Sequence, residues 1–286
     1  MKKQNAQGVG DRRNAPQNHT KDQIENKGNT KLKIIFFAAV FFVLFVAFAT
    51  VNIVIGVKEI EVEGNKLSTR EEILSIAEIS EGSGYFSYNT GKAEKKIKAL
   101  LPCVENVNIS RSFFGKVKVN VTEKEALWYI ESYGEYFALS RELVVIKNDE
   151  SRDRFIECGL VRLDFPELKS AVLQKPIEVK DGDRDCAYIA ELLDDVMKTN
   201  LYKENRIDQI EIKSKFEIFM VCDLRHKINF GNCFDVEKKL LILEKTLLDS
   251  RFDGEDTWDI NVSNVGDAAA RKNYELDFSY LKPSKS

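Results

Sequence analysis

From Ile34 to Val57 the chain runs 24 residues without one charged side chain, and six of them are phenylalanine. A helix of that length rises about 36 Å, more than the roughly 30 Å of a bilayer's hydrocarbon layer. Seventeen of the 24 are Ile, Leu, Val or Phe, each worth about −0.3 to −0.6 kcal/mol near the membrane centre. The sum, roughly −5 to −10 kcal/mol, predicts a transmembrane helix with limits at Ile34 and Val57. Whatever follows must fold on one side of a membrane.

Charge sets the expected direction. Residues 1–33 carry eight Lys or Arg against Asp11, Asp22 and Glu25, a net of +5. Basic residues close to a span are retained in the cytoplasm, so the N-terminus is expected inside and the bulk outside, as a single-pass type II protein of the cell membrane. Beyond Val57, 35 basic and 43 acidic side chains give a net of −8. That sign argues against nucleic acid, whose phosphates need a basic surface. A cleaved leader ending at Ala47-Phe48-Ala49 is the rival reading, but the apolar run exceeds the roughly 7–15 residues of a signal-peptide core. Residues 1–30 are rich in Asn, Gln, Gly and Lys with few large apolar groups. They cannot bury a core, so 1–33 reads as a disordered cytoplasmic tail.

Outside the membrane, Lys58 to Glu63 alternates charged and apolar residues and meets a turn at Gly64-Asn65. Ser68 with Glu71 suggests a capping box for a helix carrying Ile73, Leu74 and Ile76. A second helix fits Gly91 to Leu101, stopped by Pro102. Alternating strands follow at Val104 to Phe113 and Lys116 to Thr122. The order is strand, helix, helix, strand, strand.

From Lys124 successive strands are expected at 126–130, 135–139, 143–146 and 162–164, then a helix from Asp183 or Asp185 to Thr199. A three-strand meander spans 207–230, an amphipathic helix Asp235 to Asp249, and the last clear strand Thr257 to Val262. The fold class is α+β: a transmembrane helix, a small βααββ unit over 58–123, then a mixed, mainly antiparallel β domain over 124–271 with two helices. A tail, 272–286, closes the chain.

Chemistry-bearing motifs are missing from the sequence. It has no HExxH, Walker loop, GxSxG or GxGxxG. Cys222, His226 and Cys233 can be drawn as a metal site, but the spacing is unlike zinc clusters and a fourth ligand is lacking. Asp181, Asp183 and Asp185 alternate as in a calcium loop, yet Cys186 and Leu192 stand where glycine and glutamate belong. Turn and helix-cap roles fit these aspartates better. The five cysteines are irregularly spaced; free, buried thiols are the default, with one bridge still open. The acidic pairs Glu71/Glu72 and Glu123/Glu125 read as helix starts and strand ends. No catalytic residue, cofactor, metal or small-molecule substrate is expected.

Several stretches, in order behind one early span, resemble the bacterial division family FtsQ, called DivIB in Gram-positive bacteria. Lys58-Glu59-Ile60-Glu61-Val62-Glu63-Gly64-Asn65 is similar to the opening of that family's POTRA domain. Leu101-Pro102-Cys103-Val104 and Val117 to Lys124 resemble its second-helix end and last strand. Phe137 to Val145 resembles the first hairpin of its β domain, and Ile228-Asn229-Phe230-Gly231, Lys238-Lys239-Leu240 and Trp258 to Val262 its closing segment. Beyond Val262 the likeness loosens.

The resemblance implies a non-enzymatic scaffold at the division septum that binds FtsB/DivIC-like and FtsL-like proteins and regulates septal cell-wall synthesis. Backbone pairing at a sheet edge would be the means. The expected partner-binding edge strand is Trp258, Ile260, Val262, Asn264 and Val265, or a strand adjoining it. Two alternatives are an extracytoplasmic POTRA-type chaperone or transport adaptor, and a membrane-tethered cell-wall enzyme.

Overall fold

The computed structural model describes residues 19–54, 56–84, 86–112, 114–165, 168–179, 183–266 and 268–284, without the side chains of 19–30, 51–54 and 183–186. It divides into two units, residues 1–56 and 57–286.

Among the described residues the first unit holds one helix, α1 (His19–Val54). Within it Lys31–Thr50 is long and apolar enough to cross a membrane, with mean hydropathy 2.7. Two expectations need correction. Residues 19–33, read as disordered, continue the helix, because adding turns to a long existing helix avoids the cost of a new nucleus. Residues 1–18 of that tail lie outside the described residues. At the far limit, Val57 does not close the apolar helix: it is 2% exposed in the second unit's core. Its N–H donates to the Ser83 carbonyl at 2.9 Å and its carbonyl accepts from Gly82 at 2.7 Å.

The second unit opens with β1 (Glu59–Glu63), α2 (Arg70–Ala77), α3 (Thr90–Leu100), β2 (Val104–Arg111) and β3 (Lys116–Glu123). Strand order is β1-β3-β2, with β1 parallel and β2 antiparallel to β3. Period-two burial explains the sheet: Val117, Val119 and Val121 face Ile73, Ala77, Ala93 and Ile97 of the two helices. The α2 cap sits one residue later than the sequence suggested. Thr69 accepts from Glu72 N–H at 3.1 Å, and the Glu72 carboxylate accepts from Thr69 N–H at 3.4 Å. Ser68 is withdrawn from that role because its own N–H donates to Glu123 Oε1 at 2.9 Å. Glu123 Oε2 also accepts from Lys66 and Leu67 N–H, each at 2.7 Å. At the turn, Gly64 has φ +82°, and a Cβ there would lie 2.0 Å from the Val121 carbonyl oxygen. Only glycine fits such an approach.

Next come β4 (Trp128–Ser132), β5 (Glu135–Leu139), β6 (Val145–Asp149), α4 (Asp153–Glu157), β7 (Val161–Asp164), β8 (Leu168–Ser170) and β9 (Glu178–Val179). They are followed by α5 (Asp183–Lys198), α6 (Asn200–Lys203), β10 (Ile207–Ser214), β11 (Glu217–Cys222), β12 (His226–Gly231), α7 (Val236–Leu247), β13 (Trp258–Asn261) and β14 (Ala269–Lys272). The short helices α4 and α6, the β8–β9 pair and β14 were not legible as elements. Nine strands form one mixed sheet, β14-β13-β12-β11-β10-β7-β4-β5-β6. Three neighbouring pairs are parallel, β4/β7, β7/β10 and β12/β13, and the last two are reached by crossovers that contain α5 and α7, since parallel strands need a long connection.

Helices α5 and α7 cover one face of this sheet, where Ile189, Leu193, Leu240 and Leu243 meet Ile210, Met220, Ile228 and Ile260. On the other face, Tyr129, Ala138, Ile146 and Phe155 join the core of the βααββ segment. Lys147 crosses there too, donating to Glu72 at 2.7 and 3.0 Å. Farther along that face the chain's last residues fold back. Phe278 and Leu281 are buried against Val221, and Tyr280 Oη donates to Gln209 Oε1 at 2.6 Å. The tail is therefore a strap on the sheet.

Candidate protein-docking edge

The strand Trp258–Asn261 carries its apolar residues on alternate positions, which fixes its orientation. Ile260 and Val262 are buried toward α7 and Trp258 packs against the same core, while Asp259 and Asn261 take the opposite face. Its neighbour on one side is β12, in parallel register from His226↔Trp258 to Asn229↔Asn261. On the other side lies β14, antiparallel, with Trp258↔Lys272, Asp259↔Arg271, Ile260↔Ala270 and Asn261↔Ala269.

This corrects the expected site. Trp258 and Ile260 belong to an internal strand, Val262 is buried just past its end, and Asn264 and Val265 lie in the bend that leads to β14. The terminal edge belongs to β14, which adjoins the strand read from the sequence. Ala269-Ala270-Arg271-Lys272 has neither β-branched nor aromatic residues, and all four residues are exposed. Nothing local marks it as a strand, and pairing with β13 makes it one.

Side chains hold β14 in register. Arg271 donates to Asp259 from Nε at 3.1 Å and from a terminal nitrogen at 3.0 Å. Asn273 adds a bond to the same carboxylate at 2.9 Å. The Lys272 ammonium pairs with Asp256, which raises its pKa, and stands 5.5 Å from the Trp258 ring. Exposed pairs of this kind are individually weak, so their main effect is on register. Behind them, Gly231 has φ +76° and a Cβ there would fall 2.7 Å from Ser263 Cβ. The glycine lets the chain leave β13 close against the end of β12.

Ladder geometry identifies the free groups. Asn273 N–H donates to the Thr257 carbonyl at 2.9 Å. Antiparallel pairs alternate, so Asp259–Arg271 and Asn261–Ala269 are the hydrogen-bonded pairs along the ladder. The N–H and C=O of Ala270 and Lys272 then point away from β13, toward solvent. A row of such groups is a template for another extended segment. The opposite edge is partly closed, since Val145 N–H donates to the Lys175 carbonyl and its own carbonyl accepts from Gln174.

Groups with possible chemistry are spent elsewhere. His226 is wholly buried, edge-on to Phe252, and desolvation lowers its pKa to about 4. Cys222 is buried, with its thiol pushed up by desolvation, and the four described cysteines are free. Among the described residues no three His, Cys, Asp or Glu gather as metal ligands would. Asp181 lies outside the described residues, as do the side chains of Asp183, Asp185 and Cys186. Glu72 and Glu123 serve Lys147 and the 66–68 turn.

Residues 55–124 match the family described as POTRA domain, FtsQ-type. The chain is 25% identical over 213 residues to the cell division protein DivIB of Clostridium acetobutylicum, covering 72% of this chain and 83% of that one. With the cell division protein DivIB of Bacillus subtilis it shares 28% over 135 residues, 46% of this chain and 50% of the relative. With the cell division protein FtsQ of Streptomyces griseus the figures are 26% over 86 residues, 30% and 41%.

Proposed function

This chain belongs to the FtsQ/DivIB family of cell-division proteins, and from that premise we propose a non-enzymatic scaffold that works outside the membrane at the division septum. In this reading α1 spans the membrane with the basic leader inside, consistent with the +5 charge of residues 1–33. The folded unit binds FtsB/DivIC-like and FtsL-like proteins and through them regulates septal cell-wall synthesis. The observation that carries the proposal is the open edge of β14. An extended segment of the FtsB/DivIC-like partner adds there as a tenth strand to a sheet of nine. Main-chain bonds supply the affinity.

Ala270→Pro tests this. It removes an outward N–H without touching the β13 ladder, a position where proline is tolerated on an edge strand. Co-purification of the FtsB/DivIC-like partner from detergent extract is expected to weaken about tenfold, the equivalent of one lost hydrogen bond. Unchanged binding by a folded Ala270→Pro chain removes β14 as the docking edge.

A further inference from the structure

Phe114 is 86% exposed, at the tip of the hairpin between β2 and β3. The turn is closed by Ser112 N–H to the Lys116 carbonyl at 2.8 Å and Gly115 N–H to the Ser112 carbonyl at 3.3 Å. Gly115, at φ +80°, meets the turn's backbone requirement. Nothing in the turn calls for an aromatic ring at 114, and the ring buries little against its own fold.

Topology places this tip. Strands β1 and β3 are parallel, with Glu59 opposite Lys116, so the tip preceding β3 lies at the end where the chain enters β1. Lys58 and Glu59 N–H both donate to the Gly115 carbonyl, at 2.8 and 3.4 Å. The entering chain arrives from α1, described to Val54, and Val57 is already hydrogen-bonded into the fold. Three Cα steps join those residues, at most roughly 11 Å. If Lys31–Thr50 fills the hydrocarbon layer, the next turn of helix occupies the headgroup layer, about 6 Å deep. A covalent tether of this length lets the hairpin tip reach the lipid surface.

Charge beside the tip is balanced. Lys116 pairs with Glu59 at 3.4 Å and Glu61 at 3.1 Å, and Lys118 with Glu63 at 2.8 Å. The surface offers an apolar group to lipid, not a cationic cluster to phosphate. We propose that Phe114 inserts at the headgroup–acyl boundary of the bilayer that holds α1, as a second foothold of the folded unit on the membrane. Aromatic side chains favour that boundary. The inference rests on the reading that α1 crosses the bilayer.

The test uses the full chain in phosphatidylcholine vesicles with brominated acyl chains. F114W adds one indole to those of Trp128 and Trp258, whose emission is subtracted using the parent chain. The added emission is expected to be blue-shifted and to lose most of its intensity to bromine, with no anionic lipid required. Y133W, at a residue 94% exposed in the β4–β5 turn, is expected to emit as in water and stay unquenched. Water-like, unquenched F114W emission from a chain that resists carbonate extraction overturns the foothold. So does equal quenching of Y133W, or shielding of F114W only when a protein partner is added. Release by carbonate overturns the spanning reading of α1 itself, and the foothold with it.

Discussion

Acid should find a specific weakness at His226. Its ring is buried where β12 begins, 5.8 Å from Phe252, and neither nitrogen has a partner. Desolvation and the nearby Arg225 hold its pKa at about 4 instead of 6.5, with Arg206 acting the same way and Asp223 opposing. The unfolded chain takes up a proton near pH 6.5 and the folded chain only near pH 4. The histidine's contribution is therefore complete above 6.5 and is lost as pH falls toward 4, about 3 kcal/mol in all. Asp208 works against it. Desolvation raises its pKa from 3.8 to about 6, although Leu224 N–H at 2.7 Å favours the anion. Stability is gained there as pH falls from 6 toward 3.8, by a comparable amount. The parent's pH profile should thus be shallow in that window, and only a comparison isolates the ring. In His226→Leu the Asp208 gain stands alone. Between about pH 7 and pH 4 the parent should lose about 3 kcal/mol relative to the variant, a difference of roughly 5–10 °C in midpoint. Thermal unfolding followed by near-ultraviolet circular dichroism, on full chains in detergent micelles, reads this directly. If the two midpoints move in parallel, burial does not hold the ring neutral and the reasoning fails.

Glu123→Ala removes the acceptor for three backbone N–H groups of the 66–68 turn. A loss of about 2–3 kcal/mol is expected, measured as a lower midpoint, and an unchanged midpoint would show that water replaces the carboxylate freely. Ending the chain after Asn273 uncovers the face of Val221 held by Phe278 and Leu281. Their burial is worth about 3–6 kcal/mol gross, but ordering the strap costs a comparable amount. The midpoint should fall by only a few degrees, and in the intact chain amides of 276–281 should exchange faster than those of β10 and β11; collapse of the fold on truncation would contradict this.

Much of the fold was legible because its signals are local. Val117, Val119 and Val121 alternate into a core, and Leu240, Leu243 and Leu247 recur at helical spacing; both patterns survive folding. Short-range capping was less secure. Ser68 and Thr69 offer the same chemistry one residue apart, and the choice fell to Glu123, a strand away in space and 55 residues distant in sequence. The edge was the least legible feature. Trp258 and Ile260 look like a strand and are one, yet whether a strand is terminal depends on what pairs beside it.

From the amino-acid pattern alone follow an uncharged stretch long enough to cross a bilayer as a helix, the order of the longer strands and helices after it, and the acidic balance of residues 58–286. These follow from side-chain period and charge, which each segment carries wherever it sits. Tertiary structure decided that Ala269–Lys272 would be the open edge, that the last residues would strap the sheet, and that His226 would be stranded without partners. Each depends on contacts between residues far apart in the chain, where pairing and desolvation arise only after the sheet has formed.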